Sequence, residues 1–182
     1  MALPSTLYNF DIQLADADRG VYASPALRVA CHPSESPEHL VARVLAYALE
    51  FTEGIAFSKG GVSDPDEPAI AVRDLTGALR AWIEVGAPDA ARLHKATKAA
   101  PRVAVYVHKD PAAWLRGLAG ERIHRAGEVE VYGLDRDLIA GIVARLERRV
   151  KLDLSVTGRH LYVTIGGESM DGGVEKYSLE SG

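Results

Sequence analysis

Three acidic residues flank a predicted β-hairpin in the middle of the chain. Asp66 and Glu67 stand at the entrance to its first strand, and Glu84 stands near the end of its second strand. Because paired strands lie about 4.8 Å apart, carboxylates at adjacent ends of a hairpin can share one cation. Mg²⁺ needs only one or two carboxylates plus water, and it can polarise a phosphate and lower the pKa of a bound water. The pattern therefore predicts a phosphodiesterase site with Asp66, Glu67 and Glu84 as ligands of Mg²⁺ or Mn²⁺.

Basic residues follow the hairpin on the next predicted helix. Lys95 is placed to neutralise the charge that develops on a phosphate during hydrolysis. We therefore assign catalytic roles to Lys95, Glu84 and Asp66. Arg92 and Lys98 lie on the same predicted helix and are supporting candidates. The predicted site combines acidic ligands on strands with cations on a helix.

The first predicted helix contributes two further candidates, Glu38 and Arg43. Glu38 lies in the opening turn and could point toward the end of the hairpin. A favourable interaction of its carboxylate with the helix N-terminus is an alternative of equal weight. Arg43 is placed to pair with Glu38 or with another carboxylate nearby. Both residues are supporting candidates.

The hairpin acids also have a purely structural interpretation. Asp66 lies in a loop where aspartate residues often only shape a turn. Glu84 lies in the apolar run Trp82-Ile83-Glu84-Val85, where an unpaired carboxylate would be costly. Either a cation or a basic side chain must therefore be its partner. Pairing of Glu84 with an arginine or a lysine is the alternative to metal binding.

Periodicity predicts the hairpin and the helix within a longer alternation of strands and helices. Apolar residues repeat at helical spacing from Leu40 to Leu49, after a possible cap at Ser36. The remaining patterns predict strands at 55–57, 69–75, 79–85, 103–107 and 129–132, and helices at 88–99, 111–119 and 135–149. Further hairpins are predicted at the N-terminus, over 8–15 and 22–30, and at the C-terminus, over 152–156 and 161–165. The Gly-rich segment after the last hairpin is expected to fray. The fold class is α/β (α+β), a mixed β-sheet flanked by helices.

Composition indicates a single globular domain over residues 1–182. Hydrophobic residues make up 47% and charged residues 25% of the chain, which is enough apolar material for one core. Cys31 is the only cysteine and the N-terminus lacks a signal-peptide pattern, so a cytoplasmic location is expected. Charges interrupt every apolar stretch, so no membrane-spanning segment is predicted. The formal net charge of −4 means that contact with a nucleic acid would need a local basic patch, and one candidate patch consists of Arg92, Lys95, Lys98 and Arg102.

Several segments are similar to a known family. They are His32-Pro33-Ser34-Glu35, Ser63-Asp64-Pro65-Asp66-Glu67-Pro68, Asp74-Leu75-Thr76-Gly77, Trp82-Ile83-Glu84-Val85-Gly86 and Ala87-Pro88-Asp89, followed by Arg92 and Lys95. Over nearly its whole length the chain resembles the YaeQ family, which looks like a variant of the PD-(D/E)XK nuclease fold. The resemblance implies a nuclease-like core in which a helix packs on a mixed sheet and acids on a hairpin bind the metal.

The same resemblance assigns roles to individual residues. It implies that the first acid of the nuclease motif falls on Asp66 or Glu67 and that the second falls on Glu84. The motif expects a lysine two residues after Glu84, where this chain has Gly86. Lys95 and Lys98 on the following helix could reach back into the site and supply the missing charge.

Two functional hypotheses result. The first is hydrolysis of a phosphodiester in nucleic acid with Mg²⁺ or Mn²⁺. The second is a catalytically inactive nuclease-like domain that binds a nucleic acid or a protein partner in a regulatory role, with the oligomeric state left open. Gly86 favours the second hypothesis. The slightly acidic charge also favours it, because nonspecific DNA enzymes usually carry a broad basic face.

Overall fold

The computed structural model describes residues 4–59 and 64–179, and these residues form two compact units. The first unit contains the chain up to Val41 together with Leu134–Val174. The second contains Ala42–Gly133 and the chain from Glu175 onward. The prediction of a single domain over residues 1–182 stays a prediction.

The described residues form strands, four α-helices and one 3₁₀ turn. The strands are β1 (Thr6–Asp16), β2 (Val21–Ala23), β3 (Ala26–Cys31), β4 (Ile55–Phe57), β5 (Ile70–Arg73), β6 (Leu79–Val85), β7 (Arg102–Val107), β8 (Glu130–Leu134), β9 (Arg149–Thr157), β10 (His160–Ile165) and β11 (Glu168–Ser178). The helices are α1 (Pro37–Leu49), α2 (Ala90–Ala99), α3 (Pro111–Gly117) and α4 (Arg136–Val143), and the 3₁₀ turn is Ala126–Glu128.

The first unit is built around β1. This strand pairs antiparallel with β2 and β3 and parallel with β9, and β10 pairs antiparallel with both β9 and β11. Alternate residues of β9 are buried, from Val150 to Val156, as expected for a strand with one face toward a core. Helix α4 adds the buried side chains Leu138, Ile139 and Ile142. The predicted N- and C-terminal hairpins are both present.

Helix α4 is shorter than predicted. The predicted helix over 135–149 is wrong at its C-terminal end, because α4 ends at Val143 and β9 begins at Arg149. The backbone after α4 has the hydrogen bonds of a 3₁₀ turn, because the N–H groups of Arg145 and Leu146 donate to carbonyls three residues back. From Arg149 onward exposed and buried residues alternate. This period of two is typical of a strand and excludes a continued helix.

The Gly-rich C-terminal segment forms a strand. β11 runs from Glu168 to Ser178 and pairs with β10, so the prediction that this segment frays is wrong. Gly172 approaches the start of α4 closely, since a Cβ atom at this position would lie 2.6 Å from the Cβ atom of Asp135. The glycine therefore permits close packing of a strand on a helix, which the composition of the segment does not reveal.

The second unit places the candidate hairpin within its sheet. β4, β5 and β6 pair antiparallel, whereas β6, β7 and β8 pair parallel. Because β6 has a neighbour on both edges and α2 packs against it, every residue from Ala81 to Val85 is buried. The core of this unit includes Trp82 of β6, Leu93 of α2 and Val105 of β7.

The observed elements confirm the predicted α/β (α+β) class, because both units combine a mixed β-sheet with helices. The strands predicted at 55–57 and 79–85 coincide with β4 and β6. Within the part of the chain that the structure describes, every helix is too short or too polar to span a membrane.

Gly54 makes a close backbone contact just before β4. Its φ is +87°, and a Cβ atom there would lie 2.0 Å from the carbonyl oxygen of Arg73. Gly77 offers a matched control, since its φ is +86° but a Cβ atom there would meet nothing within 4 Å. An alanine at either position would carry the penalty of the left-handed region, about 1 kcal/mol. The difference between the two variants therefore isolates the steric contact.

We expect Gly54→Ala to lower the free energy of unfolding by about 2 kcal/mol more than Gly77→Ala, because the backbone at Arg73 must shift. Urea unfolding followed by circular dichroism measures both variants. Equal losses for the two substitutions would contradict the close contact.

Candidate functional site

The carboxylate of Glu84 is buried, and each of its oxygens accepts a hydrogen bond from a protein donor. Trp82, two residues earlier on the same face of β6, donates from its indole N–H to Oε1 at 2.7 Å. Arg92 donates from Nε to Oε2 at 2.8 Å, and its guanidinium lies 5.5 Å from the centre of the Trp82 ring. The structural alternative for Glu84, pairing with an arginine, is therefore what the structure contains.

Arg92 also connects the loop before β5 to the hairpin through hydrogen bonds. Its two terminal nitrogens donate to the backbone carbonyls of Asp64 at 3.0 Å and Glu67 at 2.7 Å. The hydrogen bond with Glu84 raises the pKa of Arg92 above its ordinary value, although burial acts in the opposite direction. The guanidinium therefore stays charged. One side chain connects a strand, a helix and a loop.

The first turn of α2 sets the direction of Arg92. Asp89 caps the helix, since its side chain accepts a hydrogen bond at 2.8 Å from the backbone N–H of Arg92. The cap follows Gly86, whose φ is +112° and whose N–H donates to the carbonyl of Tyr106 at 2.9 Å. A lysine at position 86 would be strained by this backbone conformation. The backbone thus favours glycine where the nuclease motif expects lysine.

The other predicted hairpin residues are close together but paired with different partners. Lys95 forms an ion pair with Asp66 and donates to the carbonyl of Pro65 at 3.1 Å. The hydrogen bond from Lys95 lowers the pKa of Asp66. The carboxylate of Glu67 accepts a hydrogen bond from Ser58 at 3.0 Å. Each acid of the predicted metal site therefore has a protein donor of its own.

The remaining supporting candidates, Lys98, Arg43 and Glu38, differ in their exposure. Lys98 is exposed in the last turn of α2. Arg43 is buried, with its guanidinium 5.5 Å from the centre of the Phe57 ring. Glu38 is exposed in the first turn of α1 and belongs to the first unit.

The arrangement of these residues does not fit a divalent cation. Among residues 4–59 and 64–179, no three or more His, Cys, Asp or Glu side chains converge as ligands would. The oxygens of Glu84 already accept from Trp82 and Arg92. The predicted roles of Asp66, Glu67 and Glu84 as ligands of Mg²⁺ or Mn²⁺ stay predictions, and so do the catalytic roles of Glu84, Lys95 and Asp66.

Comparison with known proteins identifies the family. The family model for YaeQ protein matches residues 1–172. The chain belongs to the YaeQ family. It is 32% identical over 158 residues to a YaeQ protein of Escherichia coli, with 86% of each chain covered. It is 37% identical over 113 residues to a YaeQ protein of Salmonella typhi, with 62% of each chain covered.

Two crystal structures of YaeQ proteins have a similar fold. The YaeQ protein of Pseudomonas syringae is 31% identical with a TM-score of 0.85, and the match covers 100% of both chains. The YaeQ protein of Xanthomonas axonopodis pv. citri is 29% identical with a TM-score of 0.86, and covers 97% of this chain and 99% of that one. The resemblance to the YaeQ family is therefore confirmed. The likeness of the YaeQ fold to PD-(D/E)XK nucleases stays a prediction.

A second charged network in this YaeQ chain surrounds Arg102. Its guanidinium donates to Glu50 at 2.7 and 3.2 Å and to Glu130 at 2.7 and 3.1 Å. Tyr132 donates to Glu130 at 2.6 Å and stacks on Tyr106 with ring centres 5.1 Å apart. From the sequence, Arg102 was predicted only as a member of the basic patch with Arg92, Lys95 and Lys98. One feature of the sequence could have indicated this network. The first residue of β7 and the first residue of β8 are both polar, and these two strands are parallel neighbours.

Burial and hydrogen bonding shift the pKa values of this network. Burial and the bond to Glu130 raise the pKa of Tyr132 to about 12, and burial raises the pKa of Tyr106. Burial alone would raise the pKa of Glu130, but the hydrogen bonds from Arg102 and Tyr132 outweigh it and leave that pKa below the ordinary value. Both tyrosines are therefore neutral and Glu130 is ionised at neutral pH.

Replacing Arg92 tests the pairing with Glu84. We expect Arg92→Ala to lower the free energy of unfolding by about 3 kcal/mol, because a buried carboxylate loses its charged partner. Lys95→Ala, one turn further along the same helix, is the control. It should cause no measurable change, because the Lys95–Asp66 pair is largely exposed. Urea unfolding measures both variants, and similar losses would contradict the role given to Arg92.

Replacing Glu130 tests the second network through its pH dependence. The pKa of Glu130 in the folded protein lies below its ordinary value of 4.5, so its contribution to stability is complete above pH 4.5 and is lost as the pH falls further. We expect Glu130→Gln to lower the free energy of unfolding by about 1–2 kcal/mol at neutral pH. The difference from the unmodified chain should shrink on acidification below pH 4.5.

Urea unfolding at a series of pH values measures this effect. Glu128→Gln is the control, because its carboxylate is exposed and its nearest cation, on Arg125, is 3.5 Å away. A difference for Glu130→Gln that is independent of pH would argue against a charged interaction with Arg102.

Proposed function

We propose that this YaeQ chain is a nuclease-like domain, a variant of the PD-(D/E)XK fold, that has no phosphodiesterase activity of its own and acts by binding a protein partner. The observation that carries the proposal is the engagement of both Glu84 oxygens by Trp82 and Arg92. The second acid of the nuclease motif thus serves as the acceptor in a structural ion pair.

Displacement of Arg92 by a divalent cation would disrupt more than one bond. Arg92 holds Glu84 and also the carbonyls of Asp64 and Glu67. A cation on Glu84 would lie beside the guanidinium and repel it, so the loop would lose its attachment to α2. The strained backbone that a lysine at position 86 would require also supports an inactive site.

The charges around the hairpin support a protein partner over a nucleic acid. Arg92 is neutralised by Glu84, Lys95 by Asp66, and Arg102 by Glu50 and Glu130. Binding to a nucleic acid depends on cations that can pair with phosphates, and the predicted basic patch retains only Lys98 without an ion pair among the described residues. The formal net charge of −4 also disfavours binding to a nucleic acid, because it repels the phosphates.

The tip of the β5–β6 hairpin offers a contact surface of the required kind. Leu75 is 95% exposed, more than any other large apolar residue in the described part of the chain. The side chain of Asp74 accepts hydrogen bonds from the backbone N–H groups of Thr76 at 2.9 Å and Ala78 at 3.1 Å, which fixes the turn. An apolar side chain on a turn with a fixed backbone costs less backbone entropy when it enters a pocket on a partner than one on a flexible loop. We assign the partner contact to this tip.

An assay of metal binding and cleavage tests the absence of hydrolysis. Purified chain is titrated with MnCl₂ in a calorimeter and incubated with single- and double-stranded DNA and RNA, beside a Glu84→Gln variant prepared in the same way. We expect no cleavage by either protein and no saturable heat at micromolar Mn²⁺. Cleavage that requires Mn²⁺ and disappears in Glu84→Gln would establish the nuclease hypothesis instead.

Site-specific photocrosslinking tests the protein partner. A photoreactive amino acid replaces Leu75 in cells that naturally express the chain, and the matched control carries it at Glu147, an exposed residue of the first unit. We expect a discrete crosslinked protein from position 75 that is absent from position 147. The same products at both positions, or none at position 75, would count against the assignment. Tight, salt-sensitive binding of DNA or RNA by the purified chain would favour a nucleic acid partner.

A further inference from the structure

An apolar groove of about 410 Å³ lies in the second unit, outside the residues that surround Glu84. It is formed by α3, by the segment that follows it and by the end of β11. Its apolar walls are Leu115, Leu118, Ile123, Ala126, Tyr177 and Leu179. All but Leu179 are partly buried, and they pack on the core that contains Trp82 and Leu93. The walls are therefore held in place by the core.

Two charged residues stand among the residues that line the groove, Arg116 and Glu121. Both are exposed, and within residues 4–59 and 64–179 neither side chain forms a hydrogen bond or an ion pair. Arg116 differs in this respect from Arg92, Arg102 and Arg125 of the same unit, which all donate to protein oxygens. The groove thus combines apolar walls with an available guanidinium.

We propose that this groove binds a small amphipathic monocarboxylic acid, with its apolar chain against the walls and its carboxylate on Arg116. The volume lies within the range of clefts that hold small ligands, roughly 300–1,000 Å³. A guanidinium matches a carboxylate with two parallel hydrogen bonds. The inference does not depend on the proposed function, because the two sites share no residue.

Glu121 selects among the anions that Arg116 could bind. A second negative charge at the groove repels a ligand head group that carries two charges more strongly than one that carries a single charge. Glu121 therefore reduces the advantage that the second charge of a phosphate monoester would otherwise gain from Arg116. A fully apolar or neutral ligand would leave the guanidinium without a partner and gain only the contact with the walls.

Isothermal titration of the full chain with octanoate, octanol and octyl phosphate tests the ligand class. We expect octanoate to bind more tightly than octanol, because octanol cannot form an ion pair with Arg116. Arg116→Gln should weaken octanoate binding by about tenfold, which corresponds to the loss of one charge-assisted contact. Arg122→Gln, on an exposed arginine outside the groove lining, should leave the affinity unchanged. Glu121→Gln should strengthen the binding of octyl phosphate more than that of octanoate, because the doubly charged head group is repelled more strongly by Glu121.

A pair of neighbouring variants locates the binding. Ala112 lines the groove and Ala113 does not, although both are exposed on α3. We expect Ala112→Trp to abolish octanoate binding and Ala113→Trp to preserve it, with both variants folded by circular dichroism. Equal loss in the two variants would place the ligand elsewhere.

The remaining outcomes overturn the proposal in distinct ways. Absence of saturable octanoate binding would reject the site, and equal affinity for octanol would reject the role of Arg116. Sedimentation velocity of the same proteins checks another occupant. A dimer of the unmodified chain that is lost in Ala112→Trp, together with no octanoate binding, would mean that a second copy of the chain fills the groove.

Discussion

The second unit depends on the pairing of one buried carboxylate with one guanidinium. Glu84 lies on a strand with neighbours on both edges, where its side chain is only 7% exposed. A charge in such a position must be satisfied by donors, and Trp82 and Arg92 each engage one oxygen. Arg92 can reach it because Asp89 fixes the first turn of α2. The same guanidinium then holds the loop at Asp64 and Glu67, so strand, helix and loop share one electrostatic contact.

Arg102 repeats this arrangement at the start of β7. It lies between Glu50 and Glu130, and Tyr132 completes the donors to the second carboxylate. In both places an arginine is the link between elements that are distant in sequence, since its planar fork can serve several oxygens at once. A consequence is that the charges of Arg92 and Arg102 are neutralised by carboxylates of the protein. Arg116 lies outside these networks, which is why its guanidinium remains available to a ligand.

The sequence predicted the neighbourhood of the site but not its bonding. Alternation on either side of a tight turn identified the hairpin, and strand pairing required that Glu84 lie near Asp66 and Glu67. The choice between a metal and an arginine for Glu84 was left open, because no local rule connects residues eight positions apart across a turn and a helix cap. The backbone of Gly86 and the hydrogen bonds of Arg92 determine that choice. The second network was missed because Glu50 and Arg102 are 52 residues apart.

The fold shows the same division between local and long-range information. Helix α1 and strands β4 and β6 follow from local periodicity and turn residues, and they were predicted within a few residues. The region after Val143 combines helix-forming residues with an alternating pattern that only pairing with β1 and β10 stabilises. β11 contains glycines that are unfavourable in an isolated strand, but Gly172 is required where the strand passes close to Asp135. Tertiary packing therefore decides these two segments.

A guanidinium and a divalent cation satisfy a buried carboxylate in different ways. A bound cation leaves when its free concentration falls, whereas Arg92 belongs to the chain and stays beside Glu84 at a high effective concentration. Under the proposed function, the positive charge of the nuclease motif has moved from the strand, where Gly86 now turns the chain, to the helix that follows. In that position the charge stabilises two segments that hold the hairpin tip at Leu75. One is the loop that precedes the hairpin, and the other is the strand β6 that follows the tip. A domain that works by presenting this tip benefits from a permanent counter-ion, because loss of the charge would loosen both supports of the tip together.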